Sequence, residues 1–360
     1  MSLLNTAKIT SLIASILICN QASAITLCLT GKIVKSLPTY GESFINAAYL
    51  AKEQNNSNHP VVIKTYYYDN KPLEPIRIYT QMKHDGCSAI IGFEYLSDLL
   101  LVIKTQKDTS IPIFTSYAST NQSEELPKNI FIFMPTYNFL AQKMLGFLQN
   151  KFGEMHDVLI ITEENRIEMQ KYKEAYSELL KDRRIKFDTF DFLEDDSQLD
   201  KKLSGVLSHK NYKYVFLLSG TIAAAKIADR MNSPNTIFIG TENYGSSINQ
   251  SFYIRLNNKN IHSFFIRNLD FLNASNALNN FQTSYEKRYH SKATLLSAYT
   301  YDAANILIRS YDKTGSMSVD SILHNNYHGL TGAHVKNNTF YRSKEFVILS
   351  VDKNGYRYEK

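Results

Sequence analysis

Residues 89–114 carry the reading that decides the fold: Ala89-Ile90-Ile91, then Leu96–Gln106 at helical spacing, then Ile111-Pro112-Ile113-Phe114. Short apolar runs joined through a helix are the pattern of parallel strands, which need a crossover connection and are buried on both faces. Toward the N-terminus the alternation continues. Ile25–Thr30 is apolar, Glu42–Gln54 sets Phe44, Ala47, Ala48 and Ala51 at helical spacing, Val61–Tyr68 is β-branched and aromatic, and Pro75–Lys83 is helical. Toward the C-terminus the pattern restarts. Val158–Thr162, Ile185–Phe192, Tyr214–Leu218 and Thr236–Ile239 read as strands, with helices at Ile167–Lys181, Leu199–His209 and Ile222–Met231 between them.

Two doubly wound α/β units in one chain fit 360 residues, and no Pro/Gly-rich linker separates them. After the second unit come Phe252–Leu256, a long helical region over Asn260–Tyr289, a helix over Ser297–Tyr311, and β-like runs at Gly332–Lys336 and Phe346–Val351. Extra elements after a complete second unit imply that the chain returns to finish the first. The expected architecture is α/β, with two parallel-sheet lobes joined by a multi-crossover hinge. The expected division is 25–137 plus 258–330 for lobe 1, and 138–257 plus 331–360 for lobe 2.

The composition, 44% hydrophobic and 21% charged, supports a large core and excludes disorder as the main state. The net charge of +6 is spread along the chain without a basic arm, which disfavours nucleic acid as a partner. Residues 1–24 read as a secretory signal: Lys8, an apolar run from Ile9 to Cys19, and Ala22-Ser23-Ala24 as a small-x-small cleavage site. That run falls short of the about 20 apolar residues that span a bilayer. Lipidation at Cys19 is the rival reading, opposed by the bulky Ile18 before it. The expected location is periplasmic. Cys28 and Cys87 then remain, one inside an apolar run and one just before another. That placement reads as two buried free thiols, although an oxidising compartment permits a bridge.

In open parallel sheets, ligands bind beyond the carboxyl ends of the strands, near helix N-termini. Those places hold Thr30-Gly31-Lys32 and Leu37–Gly41, Gly92–Ser97, Thr115–Asn121, Ser219-Gly220-Thr221, and Gly240–Gly245. Hydroxyls and backbone N–H groups there suit a carboxylate, Glu242 suits a cation, and the tyrosines supply apolar walls. Ser, Thr and Asn also cap helices at such positions. Six loops of this composition together favour a clamp for a small zwitterion.

Several of these stretches resemble one family. Tyr40-Gly41-Glu42 with Ala47-Ala48, Tyr67-Tyr68-Asp69 with Pro72, and Asp85-Gly86 are similar to its first strand-and-helix units. So are Ala89–Gly92, Ile111-Pro112-Ile113, Ala118–Asn121, Tyr301–Ala304 and Leu330-Thr331-Gly332 to its later ones. The family is the type I periplasmic solute-binding proteins of the leucine/isoleucine/valine-binding branch, the receptors of ABC uptake systems. The resemblance implies reversible capture of an amino acid or related small polar molecule, delivery to an inner-membrane ABC permease, a monomer, and no cofactor or metal. It implies Ser97, Ala118, Ser119 and Thr120 at the ligand carboxylate, Tyr40 and Tyr95 as walls, and Thr221 and Glu242 from the second lobe, with Glu242 facing the ligand ammonium. Arg166-Ile167-Glu168 replaces the family's Tyr-Gly, and Phe93-Glu94-Tyr95 replaces small residues. Both departures alter pocket charge and size.

A catalytic constellation is not evident. No G-x-S-x-G, H-E-x-x-H or C-x-x-C pattern occurs, and Leu29–Lys32 lacks the first glycine of a phosphate loop. The nine His show no metal-ligand spacing. The remaining alternative is an exported interaction or regulatory protein of the same bilobed architecture.

Overall fold

The computed structural model describes residues 24–359, apart from 33–39, 70, 107–109, 122–125, 194–196, 232, 234, 246–251, 258–259, 270, 272–273 and 353–354. The leader expected at 1–24 lies outside the described residues except for Ala24.

The first unit runs β1 (Ile25–Lys32), α1 (Tyr40–Asn55), β2 (Val61–Tyr68), α2 (Glu74–His84), β3 (Ala89–Ile91), α3 (Leu96–Thr105), β4 (Ile113–Thr115) and β5 (Ile130–Ile132). These strands form a parallel sheet ordered β2-β1-β3-β4-β5. Every residue of β3, β4 and β5 is buried, the two-sided coverage that their unbroken apolar sequence anticipates.

The second unit runs α4 (Tyr137–Phe152), β6 (Val158–Glu163), α5 (Ile167–Asp182), β7 (Phe187–Phe192), α6 (Leu199–His209), β8 (Tyr214–Leu218), α7 (Thr221–Met231), β9 (Ile237–Gly240), a 3₁₀ turn (Glu242–Gly245), α8 (Phe252–Arg255) and β10 (His262–Arg267). Its parallel strands take the order β7-β6-β8-β9-β10, the same topology as the first sheet. In both sheets the direction of winding reverses after the first strand, which opens a crevice beside β1 and β3 in one lobe and beside β6 and β8 in the other.

Next, α9 (Asn276–Tyr289), α10 (Leu295–Thr314), α11 (Val319–Leu323) and a three-stranded antiparallel sheet, β11 (Tyr327–His328), β12 (His334–Lys336) and β13 (Thr339–Tyr341), return to the first lobe. Thr294 and Ser297 form a capping box at the start of α10, and Gly315, left-handed at φ 66°, ends it. Asn55 Nδ2 on α1 donates to Asn305 Oδ1 on α10 at 2.7 Å, and the Phe340 ring stands edge-on to Phe114, Phe131 and Phe133. Finally β14 (Val347–Asp352) and β15 (Gly355–Glu359) add antiparallel strands to the second sheet beside β10.

The described chain therefore passes between lobes from β5 to α4, from β10 to α9 and from β13 to β14. The crossings are laced together: Ser343 N–H donates to the Phe133 carbonyl at 3.0 Å, and Asn268 Nδ2 lies 2.8 Å from Met134 Sδ. Strand pairing moves the expected lobe boundaries. β10 falls within 258–330 yet pairs with β9 and β14 in the second lobe, whereas 331–341 packs on the first. The same strand breaks the helical region expected over Asn260–Tyr289. Ser263–Ile266 is fully buried, and a run that short has no period of its own to separate strand from helix.

Cys28 and Cys87 are joined by a disulfide, with Cα atoms 5.8 Å apart, so the expectation of two free thiols is corrected. Their apolar surroundings were real, since both residues are buried, but burial does not separate a thiol from a bridge; the pairing of β1 with β3 does.

Candidate functional site

At the crevice of the first sheet, β1 ends in Lys32 and β3 runs into Gly92-Phe93-Glu94-Tyr95. A Cβ on Gly92 would lie 2.7 Å from Thr30 Oγ1, so only glycine lets the two strand ends pass this closely. Phe93 follows with φ 53°, an outlier for a bulky residue. It is held from both sides: its N–H donates to Thr30 Oγ1 at 3.3 Å, and its carbonyl accepts from Thr115 Oγ1 at 3.1 Å. This turn buries Phe93 and Glu94 and leaves Tyr95 as the residue preceding α3. Lys32 Nζ pairs with Asp98 at 3.0 Å and lies 4.6 Å over the Tyr95 ring. Burial pushes the Glu94 carboxyl up to about 8, with a hydrogen bond from its own backbone N–H and the charge of Lys32 opposing the rise and Asp98 adding to it.

In the second lobe, β6 ends in Glu163. Its Oε2 accepts the Gly220 N–H at 2.9 Å, just before α7, and lies 3.7 Å from Arg166 Nη1. A Cβ on Gly220 would stand 2.9 Å from Arg166 Nη1, so the guanidinium rests against the turn between β8 and α7. After β9, Glu242 opens the 3₁₀ turn, and its buried carboxyl accepts from the hydroxyls of Tyr172 and, at 3.4 Å, Tyr117. Burial raises the Glu242 pKa, opposed by these hydrogen bonds and by Arg166.

These two sets face each other. Tyr117 belongs to the first lobe and Glu242 to the second. Leu96 N–H, at the start of α3, donates to Glu168 Oε1 on α5 at 3.0 Å. Asn121 Nδ2 donates to Glu174 Oε2 at 3.2 Å. Tyr95 is pushed up to about 12 by burial and by Glu94, against Arg166 from the opposite lobe. The lobes thus meet across a cleft walled by Tyr95, Tyr117 and Tyr172.

Of the residues the sequence singled out, Tyr95, Ala118, Thr221 and Glu242 lie at the strand ends bordering this cleft, and Ala118, Thr221 and Glu242 are buried. Ser119 is buried, but its hydroxyl donates to the Pro135 carbonyl at 2.5 Å. The Thr120 hydroxyl accepts from Arg342 Nη2 at 2.8 Å. Ser97 is exposed on α3, and Tyr40 begins α1 with its side chain outside the described residues. Glu163, Glu168 and Tyr172 were not anticipated as site residues. The signal for the last two was available, since Glu168 and Tyr172 are four apart on the helix that Arg166 precedes and share its cleft face.

Among the described residues, no group of three or more His, Cys, Asp or Glu is arranged to hold a metal, and no helix is long and apolar enough to cross a membrane.

No protein-family model and no curated protein matches the chain. Solved structures do. A leucine-binding protein, LivK, from Thermotoga maritima is 15% identical with a TM-score of 0.78, covering 93% of this chain and 98% of its own. The branched-chain amino acid substrate-binding protein LivJ from Streptococcus pneumoniae, in complex with isoleucine, is 14% identical with a TM-score of 0.75 over 94% and 98%. An R. palustris ABC-transporter solute-binding protein in complex with benzoate is 10% identical with a TM-score of 0.75 over 93% and 95%. At such identities the likeness concerns the fold, and with a Bordetella pertussis periplasmic binding protein type 1 also among the matches, the chain has the type I periplasmic binding fold.

Proposed function

We propose that the mature chain is an extracytoplasmic solute-binding protein that captures a small polar ligand between its lobes and delivers it to an ABC permease in the inner membrane. The observation that carries this reading is the meeting of polar strand-end loops from two like sheets, with the Glu242 carboxyl buried between them. Glu242 would take a ligand ammonium and the N–H groups near Ala118–Thr120 and Thr221 a carboxylate. Tyr40 and Tyr95 would wall the pocket, and Ser97 would join only by moving inward. Hinge closure about the three crossings is a known transition for this kind of architecture. The solved relatives that hold isoleucine and benzoate support a small organic ligand. The proposed location is the periplasm and the proposed state a monomer without cofactor.

The test is a thermal-shift screen of the mature protein against amino acids, amides and small organic acids, in which stabilisation rises as RT ln(1 + [L]/Kd), about 2.7 kcal/mol at 100 times Kd. A flat response from a folded protein overturns capture. It would leave the second reading, an exported interaction or regulatory protein. One observation favours that alternative: the Glu242 carboxyl is already satisfied by Tyr117 and Tyr172.

A further inference from the structure

The charges bordering the cleft do not balance. They include the carboxyls of Glu94, Asp98, Glu163, Glu168 and Glu242 against the cations Lys32, Arg166 and Arg342. Most of these carboxyls have a donor from another residue, whereas the only donor to the Glu94 carboxyl among the described residues is its own backbone N–H. Asp98 has Lys32 and the Tyr68 hydroxyl, both at 3.0 Å. Glu163 has the Gly220 N–H with Arg166 nearby, Glu168 has the Leu96 N–H, and Glu242 has two tyrosine hydroxyls. Glu94 differs. It is 1% exposed, and its Oε2 is buried with no hydrogen-bond partner among the described residues.

A buried carboxylate oxygen without a donor is costly, and here it stands at the winding reversal between β1 and β3, where this topology binds ligands. The backbone of the turn that holds it is pinned at Phe93 by two hydroxyls. Tyr95, its neighbour in sequence, reaches the field of Arg166 and Glu168 across the cleft, so the second lobe covers this wall. What Glu94 Oε2 lacks is a donor, and carboxyls outnumber cations around it.

Resting on the capture reading, we propose that Glu94 is a specificity-determining residue that receives a cationic nitrogen at the end of an aliphatic chain. The ligand is then a basic amino acid or an alkyl diamine rather than an aliphatic amino acid. In the empty cleft burial keeps Glu94 protonated; a ligand cation takes the place of that proton, which leaves to solvent, and pairs with the carboxylate in a low-dielectric space.

Isothermal titration of the mature protein with L-lysine, L-norleucine and cadaverine tests this. Norleucine has the chain of lysine without its terminal nitrogen, and cadaverine has the nitrogens without the carboxylate. The expected result is that lysine binds at least about tenfold tighter than norleucine, the scale of a charge-assisted hydrogen bond. Glu94→Gln should reduce that ratio to about one, and Glu94→Asp, which keeps the charge, should retain part of it. Cadaverine binding as tightly as lysine assigns the cation to a diamine. Norleucine equal to lysine, or a preference for lysine unchanged in a folded Glu94→Gln protein, overturns the inference while leaving capture standing. No heat and no thermal shift with any compound of the wider screen overturns both. Unliganded melting of each variant establishes that it folds, and if Glu94→Gln does not, the norleucine comparison on the natural chain decides alone.

Discussion

The backbone N–H of Leu96 donates to Glu168 Oε1 at 3.0 Å, and the two residues belong to opposite lobes. An α-helix leaves its first N–H groups without partners of its own. Here the start of α3 is met by a carboxylate from the other lobe, and the helix dipole favours that charge.

Glu168→Ala removes this latch while leaving each lobe's own packing untouched. Losing one hydrogen bond to a charged group costs about 1 kcal/mol or more, which shifts the closed-to-open ratio by about fivefold. Small-angle scattering should report a larger radius of gyration, with little change in melting temperature. An unchanged radius would show that other contacts hold the lobes together.

Glu242→Gln should weaken an amino-acid ligand by about 10- to 100-fold, because a charge-assisted bond to the ammonium is worth about 1.5–3 kcal/mol. The amide oxygen can still accept from the Tyr172 hydroxyl while the amide N–H donates to the Tyr117 hydroxyl oxygen, so the fold should survive. Unchanged affinity would remove the ammonium role from this residue.

The raised Glu94 carboxyl also makes stability depend on pH. Its ordinary value is 4.5 and its folded value about 8, so between them the folded state holds the proton that the unfolded state has lost. Stability from this group is whole below about 4.5 and declines as pH rises toward about 8. Melting temperatures of the unliganded protein from pH 5 to pH 8 should fall more steeply for the natural chain than for Glu94→Gln. Parallel curves would mean that Glu94 ionises freely.

Reduction of the Cys28–Cys87 bridge, which spans 59 positions, releases a long loop into the unfolded state. The chain-entropy model sets the loss at about 4 kcal/mol. Melting with and without a phosphine reductant should differ by several degrees. Identical curves, with mass spectrometry finding the bridge intact beforehand, would count against a stabilising role.

Asp302 accepts from the Tyr327 hydroxyl, the Leu330 and Thr331 N–H groups and the Thr331 hydroxyl, all at 2.6–3.1 Å, and is fully buried. It ties α10 to the turn before β12. Asp302→Ala strands these donors in the core and should cost about 3 kcal/mol or more in denaturant unfolding. A loss well below that would mean water enters to replace the carboxylate.

The chain's local pattern determined much on its own. Apolar runs at Ala89–Ile91 and Tyr214–Leu218 fit strands covered on both faces, and the helices between them fit parallel pairing; the first five strands of each sheet have that form, and antiparallel β14 and β15 extend the second. Glu242 and Phe93-Glu94-Tyr95 were legible as strand-end residues for the same reason, whereas Arg166 stood out only as a departure from the family resemblance. The rest depended on contacts between residues far apart in sequence. Which sheet takes His262–Arg267 is decided by hydrogen bonds to β9 and β14, and the bridging of Cys28 by the pairing of β1 with β3. Ser119 and Thr120 have hydroxyls suited to a carboxylate, yet the Ser119 O–H is taken by the Pro135 carbonyl, and the Thr120 oxygen accepts from Arg342, 222 positions away. Periodicity records whether a residue is covered, because burial follows the geometry of its own strand or helix. It does not record by what, because the partner is brought there by the path of the whole chain.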